Sequence, residues 1–187
     1  AEKKGDTIFG NLNYYNDSVT EFWMIEDQGY ELADSKTLTK LKDGVQSIDF
    51  NFKDTNGKFV SLNDVQFKNK VVVVQILGTW CPNCLDETQF FLSYIEENPN
   101  EDLAFIGLSV EAAKTEEKAM KRIKNMIDKF NIPYPILLAQ YGGTDKEKFL
   151  QKIPMLENII SYPTTIIIDK SGPVSYTHLR AHETYDH

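Results

Sequence analysis

The chain has 187 residues, 41% of them hydrophobic, and a formal charge of −8 from 20 Lys and Arg against 28 Asp and Glu. That length fits one domain with an appendage and a core of ordinary size, and the acidic balance argues against nucleic acid and anionic membrane surfaces as partners. Two cysteines exclude a disulfide-rich scaffold and a four-cysteine zinc site, and no apolar run approaches the ~18 residues a membrane span needs.

The chain opens Ala1-Glu2-Lys3-Lys4, with no initiator Met and no apolar targeting stretch, a start that reads as processed or cut. Residues 1–44 are polar and irregular apart from the apolar cluster Phe22-Trp23-Met24-Ile25. They read as the remnant of an upstream region or linker that holds one strand. Lys42-Asp43-Gly44 is a turn signal.

From Ser47 the pattern sharpens. Ile48, Phe50 and Phe52 alternate with polar residues, as a half-buried strand requires. Asp54-Thr55-Asn56-Gly57 is hairpin-turn chemistry, and Phe59, Val60 and Leu62 make the return. Val71–Leu77, VVVVQIL, is a β-branched run expected to be buried on both faces. Gly78-Thr79-Trp80 then leads into Cys81-Pro82-Asn83-Cys84 and a helix whose Leu85, Thr88, Phe91, Leu92 and Ile95 recur at helical steps. Ala104–Val110 is a second buried strand. Residues 113–130 form an amphipathic helix with Ile123 and Phe130 on its apolar stripe. Tyr134–Ala139 is a short strand, Thr144-Asp145 caps a short helix reaching about Lys152, and Tyr162-Pro163 introduces the strand TTIIID. Strands alternating with helices predict an α/β fold, a largely parallel central sheet with helices on both faces.

The segment 173–187, PVSYTHLRAHETYDH, shows no helical or strand period and carries all three histidines: His178, His182 and His187. Val174–Thr184 resembles a translated sequencing-library adapter. Residues 173–187 are therefore expected to be a non-native tail standing where a last strand and helix belong. Setting the tail aside leaves no histidine base.

The cysteine spacing narrows the chemistry. Zinc needs about four ligands. Covalent haem needs a histidine directly after the second cysteine, where Leu85 stands. A structural disulfide across two residues would constrain the unfolded chain weakly. A redox dithiol remains. Cys81 falls at a helix start with Pro82 in the first turn, where free N–H groups and the helix dipole stabilise a thiolate. Cys81 is the expected nucleophile, and the more buried Cys84, one turn on, the resolving thiol. Glu87 follows three residues later on the same side, near enough to exchange a proton with Cys84.

Gly78-Thr79-Trp80-Cys81-Pro82-Asn83-Cys84, Glu87 and Tyr162-Pro163-Thr164-Thr165 resemble the TlpA/ResA-like thiol–disulfide oxidoreductases of the thioredoxin superfamily, also grouped with the redoxins. The wording is nearest to Bacteroidetes members, and the resemblance covers residues 47–172. It implies a thioredoxin-like fold with a central mixed sheet, flanking helices and an N-terminal β-hairpin, in a domain spanning 45–172. It implies that Pro163 is a cis-proline facing the dithiol, that Trp80, Pro82 and Tyr162 border the substrate, and that Glu87 is functional. It further implies protein disulfides as substrates, a membrane-bound thiol donor upstream, no cofactor or metal, and an extracytoplasmic location, secreted or lipid-anchored in the periplasm. Two departures stand out. Gln75 occupies the place of a buried acid six residues before the first cysteine, and Tyr162 is bulkier than the family's usual residue. A peroxiredoxin is the second reading, disfavoured because Ile76 stands five residues before Cys81 and Trp80 crowds the site. A partner-holding module that uses Tyr162-Pro163 for strand addition is the third.

Overall fold

A computed structural model describes residues 8–15, 18–26 and 39–179. The chain divides into two compact units, Ala1–Ser35 and Lys36–His187. In the first, β1 (Ile8–Tyr15) and β2 (Ser18–Glu26) pair antiparallel, with a register irregularity between Asn13 and Tyr14. The apolar cluster Phe22–Ile25 thus sits in one strand of a hairpin, where a single strand was expected.

The second unit begins ahead of residue 45. Lys40 and Lys42 exchange backbone hydrogen bonds with Glu157 and Met155, Leu41 bridges Leu156, and Thr39 is buried. Pairing with a loop ties these polar residues to the domain, which composition alone does not reveal.

The main sheet runs β4-β3-β7-β6-β5-β8-β9. β3 (Asn51–Lys53) and β4 (Phe59–Ser61) form the expected hairpin. Gly57 takes the positive φ of 80° that its turn requires, and Asp54 Oδ1 accepts from the Asn56 and Lys58 amides at 2.8 and 2.9 Å. β5 (Val71–Leu77), β6 (Leu103–Val110) and β7 (Ile136–Gln140) are mutually parallel. β8 (Thr164–Ile168) lies antiparallel to β5, and β3 antiparallel to β7. The sheet is therefore mixed. Strand–helix alternation correctly marks the three parallel strands but says nothing of the direction in which the hairpin and the segment after Pro163 join their edges.

Side-chain alternation sorts the central strands between two cores. Val72, Val74 and Ile76 face one core with Ile106, Leu108 and the Phe149 of α3 (Lys146–Leu150). Val73 and Leu77 face the other, with Phe91 of α1 (Pro82–Glu97) and Ala119, Ile123 and Met126 of α2 (Glu116–Phe130). Gln75 points to this second face, beneath α1. Each fully buried Ile or Leu stabilises the fold by about 1.5–3 kcal/mol. α2 is capped by the Thr115 hydroxyl, which accepts from the Lys118 amide at 3.3 Å, and it ends at Asn131 in the left-handed conformation.

Past Gly172 the expectation of an absent last strand needs correction. β9 (Val174–Leu179) pairs antiparallel with β8 at the sheet edge. Gly172, at φ 103°, reverses the chain within a tight turn, and the Asp169 amide donates to the Pro173 carbonyl at 3.0 Å. The open edge of β8 offers a row of N–H and C=O groups that an extended segment completes without any side-chain period of its own. The expected missing last helix, with His182 and His187, falls outside the described residues. Among the described residues, no helix is long and apolar enough to cross a membrane.

Candidate active site

β5 ends at Leu77 and α1 begins at Pro82, so the four intervening residues turn at the carboxyl edge of the parallel strands. The Cys81 amide donates to the Gly78 carbonyl at 3.0 Å, closing that turn. Cys81 is the N-cap of α1. Its sulfur accepts from the Cys84 amide at 3.2 Å, so a free backbone donor of the helix start is aimed at the reactive atom. Pro82 occupies the first helical position, where a missing N–H costs nothing, and it is exposed.

Cys81 and Cys84 are joined as a disulfide, with Cα atoms 5.3 Å apart. Cys81 is 6% exposed and Cys84 0%. Of the two sulfurs, the one with residual exposure is that of Cys81, which also lines a surface cleft. Cys81 Sγ lies 3.7 Å from the Tyr162 carbonyl oxygen, across the cis Tyr162-Pro163 bond. Pro163 is buried. The Tyr162 ring meets Trp80 edge-on at 5.7 Å between centroids, and Lys146 Nζ stands 6.0 Å from its centre. Burial pushes the Tyr162 phenol up to about 12, the charge of Asp145 adding to the effect.

Beneath Cys84 lies a polar layer. Glu87, 5% exposed, accepts from Gln75 Nε2 at 2.8 Å. The same amide nitrogen donates to the Cys84 carbonyl at 3.2 Å. The Thr88 hydroxyl lies 2.8 Å from that carbonyl and 3.0 Å from Gln75 Oε1, so Gln75 is held from both ends. This arrangement accounts for the departure at Gln75. An acid there would set a second carboxylate about as close to Glu87 as the present hydrogen bond, and two such charges cannot both stay ionised. The amide instead donates to Glu87. Burial also pushes the Tyr134 hydroxyl up, with Glu87 adding to the shift.

One residue that sequence reasoning missed organises the other side of the turn. Glu111, fully buried, accepts from the Thr79 amide at 2.9 Å, the Thr79 hydroxyl at 2.7 Å and the Ser109 hydroxyl at 2.6 Å. Trp80 Nε1 donates to the neighbouring Val110 carbonyl at 2.9 Å. The end of β6 thereby holds the two residues before Cys81. A Cβ on Gly78 would clash with Trp80 Nε1 and come 2.6 Å from Cε2 of the same ring and 2.9 Å from that carbonyl, so any larger residue here would have to displace the indole or the turn. Trp80, 41% exposed, shields one side of the turn while its N–H is anchored. The signal for Glu111 was present: a charged residue directly continuing the apolar run of β6 has no solvent to face.

The redoxin family pattern matches residues 40–186. The chain belongs to the redoxin family. Relatives of this redoxin include the thioredoxin-like protein YneN of Bacillus subtilis, 28% identical over 78% of this chain and 76% of the relative. The thiol–disulfide oxidoreductase ResA of Bacillus thuringiensis is 24% identical over 79% and 73%. Among solved structures, a thiol–disulfide oxidoreductase from Bacteroides fragilis superposes with a TM-score of 0.55 at 16% identity, covering 73% of this chain and 92% of its own. The thioredoxin domain of a Bacteroides vulgatus thiol–disulfide oxidoreductase gives 0.56 at 24% identity, covering 76% and 91%. These likenesses establish the thioredoxin-like fold of the redoxin, and with the Cys81–Cys84 pair they make it a thiol–disulfide oxidoreductase.

Proposed function

We propose that this redoxin is a protein-disulfide reductase in which Cys81 attacks and Cys84 resolves. The observation that carries the reading is the asymmetry of the pair: one sulfur at a helix N-cap on the surface side, the other sealed above Gln75, Glu87 and Thr88. In the reduced protein, the Cys81 thiolate attacks one sulfur of a substrate disulfide. A Cys81–substrate bond forms, the substrate disulfide breaks, and the second substrate sulfur leaves as a thiolate that takes up a proton. Cys84 then loses its proton and attacks Cys81 Sγ. The Cys81–Cys84 disulfide forms and the substrate departs with its second thiol. Two electrons have passed to the substrate, and a thiol donor must return them.

Glu87, one turn on in α1 and joined to Cys84 through Gln75, is proposed to accept the Cys84 proton. Trp80, Pro82, Tyr162 and Pro163 border Cys81, and the extended backbone before β8 gives a substrate strand a surface to pair along. The thiol donor is proposed to be membrane-bound and the protein to work outside the cytoplasm, where disulfides persist and need correction. The wording shared with TlpA/ResA-like proteins supports both points.

Insulin reduction by wild type, Cys81→Ser and Cys84→Ser tests the mechanism. Cys81→Ser is expected to be inactive, and Cys84→Ser to accumulate a mixed disulfide at Cys81. A Cys81→Ser variant that retains activity overturns the reading. A reduction potential well above those of reducing thiol donors would reverse the direction to oxidation.

A further inference from the structure

A cleft of about 550 Å³ opens beside Cys81, between the turn that carries Trp80 and one face of α2. Arg122, Met126 and Lys129 lie on that face, at the four- and seven-residue spacings that align side chains along a helix. Leu85 of α1 closes the apolar floor with the buried Met126. Arg122 and Lys129 are exposed, and about 10 Å of helix separates them.

The charge of this cleft runs against that of the chain. In a protein with 28 acidic residues, the charged residues lining the cleft are two cations and no carboxylate. Neither cation forms an ion pair among the described residues. Asp128, the neighbour of Lys129 in sequence, pairs with Lys124 at 3.1 Å, and Glu111 is taken up by Thr79 and Ser109. The Lys129 ammonium is held 5.2 Å from the centre of the Phe130 ring, which keeps it at the cleft rim.

We propose that this cleft docks an acidic segment of the substrate protein. Asp or Glu residues flanking the target disulfide pair with Arg122 and Lys129, and an adjoining apolar side chain rests on Leu85 and Met126. The proposal rests on the thiol–disulfide exchange described above and adds the class of substrate: disulfides in acidic surroundings. Charge complementarity chooses the occupant. An acidic segment satisfies both free cations while its sulfur meets Cys81, and a basic segment would face them unscreened.

The test uses the full chain, pre-reduced, in single turnover. The substrates are short peptides, each closed by one disulfide and differing only in whether the flanking residues are Asp, Ser or Lys. The readout is the ratio of second-order rate constants within one protein, which cancels any general effect on the sulfur chemistry. Wild type is expected to reduce the Asp peptide about tenfold faster than the Lys peptide at low salt, the yield of two exposed pairs, and raised salt should shrink the ratio. The double variant R122E/K129E should invert it. A wild-type ratio of one overturns the proposal, as does a ratio untouched by the double variant. An acidic preference seen with oxidised glutathione but not with the Asp peptide overturns it in favour of a small anionic disulfide. Failure to reduce any of the three peptides would instead sink the exchange reading on which it rests.

Discussion

Removing the Glu111 carboxylate should loosen the active-site turn and the domain together. Its two oxygens take three donors: the Thr79 amide at 2.9 Å, the Thr79 hydroxyl at 2.7 Å and the Ser109 hydroxyl at 2.6 Å. Hydrogen bonds to a charged partner contribute about 1.5–3 kcal/mol each, and a buried donor left without a partner costs about 1–3 kcal/mol. In Glu111→Ala the two hydroxyls can rotate toward other acceptors. The Thr79 amide cannot, because its direction is fixed by the backbone of the turn. Counting that amide in full and the hydroxyls in part gives a loss of about 3–5 kcal/mol. This is a large share of the ~5–15 kcal/mol that stabilises an ordinary domain. Glu111→Gln keeps one acceptor oxygen, and its NH2 can donate to a rotated hydroxyl, so its loss should be about 1–2 kcal/mol. Urea unfolding followed by far-UV circular dichroism measures both. With a slope of about 1–3 kcal/mol per molar, the alanine variant should shift the midpoint by about 2 M and the glutamine variant by less than half of that. Insulin reduction should fall alongside, because Thr79 and Trp80 lead directly into Cys81. An alanine variant whose midpoint stays within about 0.3 M of wild type would refute the reasoning.

Three further outcomes follow from the same geometry. Glu87→Gln should slow release of the reduced substrate about a hundredfold, the low end of the range for a lost proton acceptor, and alter the pH dependence of that step; an unchanged rate and pH–rate profile would leave Glu87 a structural acid. Gly78→Ala should displace the Trp80 indole, because the added carbon would clash with its Nε1 and come 2.6 Å from its Cε2, and red-shift and weaken the tryptophan emission; a spectrum like that of wild type would show that the turn yields instead. Burial, with the charge of Asp145, pushes the Tyr162 phenol up to about 12 from an ordinary 10.0. Below 10.0 its contribution is complete, and as pH rises toward 12 the unfolded chain gives up the proton first, so stability declines across that window. Tyr162→Phe should lose less stability over the same interval, and parallel pH curves for the two proteins would contradict the assignment.

Where periodicity and turn chemistry act locally, the sequence was a good guide. The VVVVQIL run, the Asp54–Gly57 turn and the alternation after Ser47 each record a requirement met within a few residues. So did Cys81-Pro82-Asn83-Cys84, since a helix start next to a buried strand is a local event. Residues whose place depends on a distant partner were harder to read. Thr39 to Lys42 look like a linker until they lie against residues 155–160. Val174–Leu179 lacks a strand period, and its pairing comes from the vacant side of β8. Gln75 reads as the loss of an ionisable group with Glu87 in its stead, but the hydrogen bond that joins the two, twelve residues apart, is visible only in the fold. Glu111 went unnoticed because nothing local marks it except its place at the end of an apolar run.

These distant contacts set two cysteines one helical turn apart in different surroundings. The parallel strands end together, so Gly78–Cys81 and Val110–Glu111 arrive at one edge of the sheet from adjacent strands. β6 can then hold the turn before Cys81 from the side, through Glu111 and Val110, which leaves the outer approach to the sulfur open. Cys84 faces the opposite way, down onto β5, where a side chain two residues short of the strand end lies beneath the first turn of α1. A wholly apolar residue at that position would seal Cys84 but leave Glu87 buried without a donor, a loss of about 1–3 kcal/mol. A carboxylate would repel Glu87. Gln75 resolves both constraints, donating to Glu87 and to the Cys84 carbonyl while accepting from Thr88. The outer sulfur is therefore governed by the end of one strand and the inner sulfur by the body of its neighbour. Changes at Glu111 should act on the attack at Cys81, and changes at Gln75 or Glu87 on the resolution by Cys84.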